Sequence, residues 1–150
     1  MSNTIDALSV YVKHFDALTT RELYEMIKAR FNVFYLEQAI RYPDLDDVDY
    51  NAYHVLAMRG DAVVAYARLF MDENDKVWYA GRVLSVSRAT GLGRMVMEKA
   101  EAFVRSHGGN ILRVHAQIQA ESFYVHLGYT RCSEEFVEAD ILHVGMQKPL

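Results

Sequence analysis

The sequence predicts an α/β fold of the α+β kind, with a mixed, mostly antiparallel sheet and helices on both faces. Two observations predict it. Three apolar runs rich in β-branched and aromatic residues follow one another through short polar turns between Tyr53 and Val86, which implies antiparallel pairing. Helical stretches on either side of this meander, with single strand-like segments between them, supply the covering layers. At 150 residues, half of them hydrophobic, the chain is long enough for a real core and reads as one domain over residues 1–150.

The elements follow in order. Ser9–Phe15 alternates and carries β-branched residues, as a first strand does. Thr19 can cap a helix, with Glu22 three residues on as in a capping box and Leu18 and Leu23 placed for a hydrophobic staple. Leu23, Ile27, Phe31 and Phe34 extend one apolar face, so helix runs to about Gln38, in one or two pieces. YPDLDDVDYNAY is a loop, and its acidic residues Asp44, Asp46, Asp47 and Asp49 are expected to be solvated, or to draw a cationic amine towards a nearby cleft. The strands YHVLAM, AVVAYARLFM and KVWYAGRVLSV come next. A helix opens at Gly91, with Leu92, Met95, Val96, Ala100, Phe103 and Val104 inward and a Glu101–Arg105 pair outward. Gly108-Gly109 ends it. ILRVHAQ is a strand, AESFYVHLG a short helix, and two last strands lie near Tyr129–Val137 and Ile141–Met146.

Composition narrows the function classes. A net charge of −4 gives no reason to expect a nucleic-acid partner. No apolar run approaches the ~20 residues of a membrane helix, so no membrane partner is expected. The N-terminus does not read as a secretory signal, and the single Cys132 suits a reducing compartment; a cytoplasmic location is the expectation. Six histidines and one cysteine show no metal-ligand spacing, so no metal is expected. The Asp44–Asp49 cluster lacks the glycine and the later glutamate of a calcium loop.

The most informative stretch is SVSRATGLGRMVMEKA. A strand ends near Val86 and a helix starts near Gly91, so unpaired N–H groups and the positive end of the helix dipole face outward there. With Arg88 and Arg94 beside them, these groups suit a phosphate; turn geometry and surface arginines account for the same residues without a ligand. A Walker loop would need Lys-Ser/Thr after the second glycine, where Arg94-Met95 stands. A dinucleotide fingerprint would need a small residue where Val96 stands, and an acidic residue after the next strand, which ends in Gln117.

Arg88-Ala89-Thr90-Gly91-Leu92-Gly93 has the form Arg/Gln-x-x-Gly-x-Gly/Ala, which resembles the coenzyme A pyrophosphate loop of the GNAT superfamily of acyl-CoA N-acyltransferases. The order of elements is similar to that fold. Arg30 to Gln38, Tyr42-Pro43-Asp44-Leu45-Asp46, His54, Ala65 to Arg68, Gly81-Arg82-Val83, Ala116-Gln117, Phe123-Tyr124, Gly128-Tyr129 and His143 to Met146 resemble the ElaA-like branch in sequence order. Two departures stand out: a lead-in from Val83 to Arg88 about two residues shorter than the branch, and Ala139-Asp140-Ile141 where Asp-Gly-Ile is expected.

The resemblance implies a sheet splayed between its fourth and fifth strands and acetyl-CoA or coenzyme A as co-substrate. The pantetheine arm would lie along Leu84, Ser85 and Val86, and the pyrophosphate on Thr90, Gly91, Leu92, Gly93 and Arg94, with Arg88 adding charge. It implies Tyr124 as the acid for the leaving thiolate and a backbone amide near Leu84 for the oxyanion. Glu37 or His54 would take the amine proton. His143 and His115 could also take it; each histidine also suits a hydrogen-bonded structural place, Glu37 a solvated helix end or a salt bridge, and Tyr124 a packed aromatic. The activity implied is acetyl transfer to a primary amine of a small molecule or of a lysine side chain, by direct attack in a ternary complex. The alternative is a non-catalytic acyl-CoA binding or sensing domain. A nucleotide-binding domain is a third reading.

Overall fold

The computed structural model describes residues 7–88 and 90–150; Ala89, inside the glycine loop, lies outside the described residues. Seven strands form one sheet in the order β1-β2-β3-β4-β5-β7-β6: β1 (Leu8–His14), β2 (Tyr53–Arg59), β3 (Ala62–Met71), β4 (Trp78–Ser85), β5 (Ile111–Gln117), β6 (Thr130–Glu138) and β7 (Ile141–Pro149). Neighbours are antiparallel except β4 and β5, which run parallel. The expected fold class is the one found.

Three helices cover the sheet: α1 (Thr20–Arg30), α2 (Leu92–Ser106) and α3 (Glu121–His126). β2 alternates between two cores. Val55 and Ala57 meet α2 through Val96, Met97, Ala100 and Val104, while Leu56 and Met58 meet α1 through Met26 and Ala29. Both faces of this part of the sheet are therefore dry, so the strands read as continuous apolar runs.

α1 begins at the predicted capping box: the Glu22 N–H donates to Thr19 Oγ1 at 3.1 Å and the Thr19 N–H to Glu22 Oε1 at 2.8 Å. The second piece of the helical run is a π-helical segment over Phe31–Glu37, where the Gln38 N–H reaches the Val33 carbonyl. Gly108, at φ 81°, ends α2 in the left-handed conformation, and the Gly109 N–H returns to the Val104 carbonyl. A Cβ on Gly109 would meet Val104 Cγ1 at 2.4 Å, so α2 and Trp78 require glycine there.

Three expectations are corrected. The buried stripe of α2 is Leu92, Val96, Met97, Ala100, Glu101 and Val104, with Met95 exposed. Glu101 does not pair with Arg105; it is buried and accepts from the Tyr129 hydroxyl at 2.8 Å and Lys148 Nζ at 2.9 Å. The acidic loop is not solvated as a whole: Asp44, Asp46 and Asp49 bind Arg30, Arg68 and Arg82. Among the described residues no helix is long and apolar enough to cross a membrane.

Candidate active site

The site begins where β4 and β5 part. Their pairing is limited to Trp78–Leu112, Tyr79–Arg113 and Ala80–Val114, yet β4 runs on to Ser85 and β5 to Gln117. Beyond Ala80 the facing edges of both strands are unpaired, and a wedge opens in the sheet.

A bulge in β4 starts the wedge. Ala65 lies opposite Ser85 and Tyr66 opposite Leu84, but Arg68 lies opposite Gly81, so β4 carries one residue more than β3 there. Arg82 takes up the excess in the left-handed region, at φ 51°. The bulge exchanges the two faces of the strand: Trp78 and Ala80 pack on the α2 side, and Leu84 on the α1 side. The Val86 N–H donates to the Val64 carbonyl at 2.9 Å. Backbone direction alternates along an antiparallel strand, so Leu84 and Val86 turn their N–H and C=O groups to β3, while Val83 and Ser85 turn theirs into the wedge. A ligand strand would be read by Val83 and Ser85, not by the amide of Leu84 named from the sequence.

The glycine loop stands at the mouth of the wedge. Ser85 Oγ and Thr90 Oγ1 both donate to the Ser87 carbonyl, at 2.7 and 3.2 Å. Gly91 is the N-cap of α2 at φ 76°. No side chain caps the helix and its first turn holds no acidic residue, so the N–H groups of Leu92, Gly93 and Arg94 and the positive helix end are available to an anion. Leu92 is buried and anchors the turn. Gly93 has a packing reason as well: a Cβ there would meet Phe123 at 3.3 Å, so it lets α3 come close. Arg88 and Arg94 are exposed and pair with Glu37 at 3.1 Å and Glu98 at 2.8 Å. Exposed pairs of this kind are worth about 0–1 kcal/mol and yield readily to a phosphate.

Tyr124 lies on α3, directly after β5. Its ring is buried, edge-on to Phe123 and Tyr129 with centroids 5.0 and 5.7 Å away. Its hydroxyl has no hydrogen-bond partner among the described residues. Among the described residues the buried polar side-chain atoms without a partner are Arg68 Nε and Trp78 Nε1; the Tyr124 hydroxyl is not among them, so it keeps contact with the surface. Burial pushes its pKa up, which keeps it protonated and able to donate.

The two base candidates named from the sequence fare differently. Glu37 ends the helical run of α1 at the same rim, half-exposed, on Arg88. His54 is fully buried. Its Nε2 lies 3.1 Å from the Asp49 carbonyl, which only accepts, so Nε2 carries the hydrogen, and Nδ1 accepts from the Tyr66 hydroxyl at 2.6 Å. Burial lowers the His54 pKa despite the Asp49 carbonyl. Neither ring nitrogen is open to a substrate.

The sequence reading missed the cluster beside His54. Arg30, fully buried, binds Asp44 and Asp49 at 2.8 and 2.7 Å. Arg68 forks onto both oxygens of Asp46 at 2.7 and 2.9 Å. Arg82 donates to Asp44 Oδ1 at 2.8 Å and to the Asp44 carbonyl at 3.0 Å. Burial alone would raise the Asp49 carboxyl; Arg30 and Arg68 override it and hold it below the usual carboxylate range. Three arginines against three aspartates leave no net charge to attract an amine. The cluster ties α1, the loop and the β4 bulge together. Across the wedge, Gln117 Nε2 at the end of β5 donates to Gln38 Oε1 at 3.1 Å. Among the described residues no group of His, Cys, Asp and Glu could hold a metal ion.

Known proteins share this architecture. The family model described as the acetyltransferase (GNAT) domain matches residues 13–150. The crystal structure of an acyl-CoA N-acyltransferase from Pseudomonas aeruginosa superposes with a TM-score of 0.85 at 32% identity, covering 95% of this chain and 99% of that one. Escherichia coli ElaA superposes with a TM-score of 0.85 at 27% identity over the same shares. A UPF0039 protein of Schizosaccharomyces pombe is 31% identical over 148 residues, 95% of this chain and 98% of its own length. A wedge between parallel strands, an uncapped glycine-led helix at its mouth and these likenesses agree: the chain belongs to the GNAT acetyltransferase domain family, in its ElaA-like branch.

Proposed function

We propose that this protein is an acyl-CoA-dependent N-acyltransferase that moves an acetyl group from acetyl-CoA to a primary amine, of a small molecule or of a lysine side chain. The observation that carries this reading is the wedge between β4 and β5 with the uncapped N-terminus of α2 at its mouth. The N–H groups of Leu92 to Arg94 hold the pyrophosphate, with Arg88 and Arg94 recruited from their surface pairs. Val83 and Ser85 offer main-chain groups to the pantetheine amides, as a neighbouring strand would.

The amine attacks the thioester carbonyl within a ternary complex. Negative charge grows on the carbonyl oxygen, and an N–H in the wedge, from Val83 or Ser85, stabilises it. The carbon–sulfur bond breaks, and Tyr124 gives its hydroxyl proton to the leaving thiolate. No nucleic-acid or membrane partner enters this reading, and its setting is cytoplasmic.

A second reading, a non-catalytic acyl-CoA sensor, is favoured by one observation: both ring nitrogens of the buried His54 are engaged within the protein. Release of free thiol from acetyl-CoA with a panel of primary amines separates the two. Turnover with any amine supports the transferase; tight CoA binding without turnover supports the sensor.

A further inference from the structure

The face of the sheet opposite α2 is covered by α1 and the π-helical segment over β1 to β4, not over β5 to β7. Val114 and Ala116 of β5 point into the α2-side core, so His115 and Gln117 point to the other face. His115 is the first β5 residue past the last β4–β5 pair, at the apex of the wedge. A cavity of about 230 Å³ lies on the closed side of His115, over the paired Tyr79 and Arg113, and is lined also by Cys132, Ser133 and Phe136. Opposite His115 on β7 stands Gly145, which adds no side chain to fill it.

His115 Nδ1 lies 3.3 Å from Glu138 Oε1. An ionised carboxylate only accepts, so Nδ1 carries the hydrogen and Nε2 presents its lone pair. Tyr79 from β4 and Phe136 from β6 frame the ring edge-on, with centroids 5.7 and 5.1 Å away. His143 on β7 sends Nε2 to within 3.7 Å of Glu138 Oε2 and holds its Nδ1–H on the Ile141 carbonyl at 2.7 Å. The charged and titratable groups facing the pair are thus Tyr79 and Arg82 from β4, Arg113 from β5, Cys132 from β6 and His143 from β7. The hydrogen bond from His115 leads the causes that keep the Glu138 carboxyl below its ordinary value, against burial and with the charges of His143 and Arg82. Glu138 therefore stays an anion.

We propose that His115 is the general base of the transfer, with Glu138 as its positioning residue, and that the cavity beside it receives the body of a small primary alkyl amine. The inference rests on the transferase reading and supplies a proton acceptor in place of the enclosed His54; Glu37, freed when Arg88 turns to the phosphate, is the rival base. The ammonium gives one proton to His115 Nε2, which passes it to water. The neutral nitrogen attacks the thioester carbon, the carbon–nitrogen bond forms and the carbon–sulfur bond breaks. Tyr124 protonates the thiolate and takes the second proton of the attacking nitrogen in return. The balance is amide, free CoA and one proton released.

The test uses the whole protein, acetyl-CoA, and two acceptors: an alkyl amine that is ammonium at pH 7.5, and hydroxylamine, which is already neutral there. In His115→Gln, kcat/KM for the alkyl amine should fall ~10²-fold or more, while hydroxylamine stays within a few-fold and CoA binding and Tm hold. Added imidazole should restore part of the activity of His115→Ala. Glu138→Gln should move the acid limb of the wild-type pH profile to lower pH, because the imidazole loses its anionic neighbour. Equal losses with both acceptors, or no loss with either, overturn the proposal and leave the transferase reading standing. Wild-type protein that binds acetyl-CoA and turns over no amine overturns both.

Discussion

The Arg82 guanidinium holds Asp44 at two points, the carboxylate at 2.8 Å and the carbonyl at 3.0 Å. This contact fastens the one left-handed residue of β4 to a loop that Arg30 in turn fastens to α1. The wedge thus has a built hinge point. A non-glycine residue in the left-handed region costs roughly 1–2 kcal/mol, and the Arg82–Asp44 contact offsets it.

Arg82→Ala removes the contact and keeps the strained φ. Stability should drop by about 1–2 kcal/mol, and KM for acetyl-CoA should rise ~10-fold as the bulge relaxes, a loss of about 1.4 kcal/mol if KM tracks binding. Arg82→Gly tolerates the same φ and should recover part of the KM. Equal KM values for the two variants would mean that Arg82 does not hold the bulge.

Gly91 sits in open space, with nothing within 4 Å of a built Cβ, but at φ 76°. Gly91→Val is therefore opposed by backbone conformation and not by packing. As the turn relaxes, the N–H groups of Leu92 to Arg94 lose their common aim. CoA affinity should fall at least ~10-fold, about 1.4 kcal/mol, in a folded protein. Calorimetry that finds an unchanged Kd would remove the pyrophosphate from this loop.

Tyr124→Phe keeps the ring between Phe123 and Tyr129 and deletes a hydroxyl that holds nothing else in the described protein. The loss should fall on kcat, by ~10- to 100-fold, at the low end of general-acid contributions because a CoA thiolate leaves fairly well. The acetyl-CoA Kd and the Tm should barely move. Wild-type kcat under conditions where chemistry limits the rate would refute the acid; a lowered Tm with intact kcat would make Tyr124 a packing residue.

Burial depresses the pKa of His54. The unfolded chain binds a proton near pH ~6.5 that the folded chain refuses, so this contribution is complete above that value and is lost as pH falls towards the folded pKa. Denaturant midpoints should drop from pH 7 to pH 5, and less so in His54→Gln. Asp46 and Asp49, held low by their arginines, add a second loss at more acid pH, as the medium falls below their unfolded values and through their folded ones. Parallel curves for wild type and His54→Gln between pH 7 and 5 would contradict the enclosed, neutral histidine.

Local signals were legible in the sequence. Thr19 and Glu22 cap α1 as read, the β2–β3–β4 meander pairs as its short turns require, and the glycine loop opens α2. What escaped had partners far along the chain. Asp44, Asp46 and Asp49 look like a solvated run until Arg30, Arg68 and Arg82 arrive from other elements. The Arg82 bulge carries no glycine at the left-handed position, so turn chemistry does not announce it. Glu101 reads as an outward partner of Arg105 because Lys148 and Tyr129 leave no trace in the helix pattern. His115 and Glu138 meet only because β7 sits between their strands in the sheet.

Acyl-CoA in the β4–β5 wedge, with its pyrophosphate on the start of α2, would be felt by the backbone amides of both segments. Amide chemical-shift mapping of the labelled protein titrated with CoA tests it most directly. The largest shifts should fall at Gly91 to Arg94 together with Val83 and Ser85. Pantetheine, which lacks the pyrophosphate, should move Val83 and Ser85 and leave the loop in place. Shifts that cluster away from both segments, or a loop that responds equally to pantetheine and CoA, would contradict it.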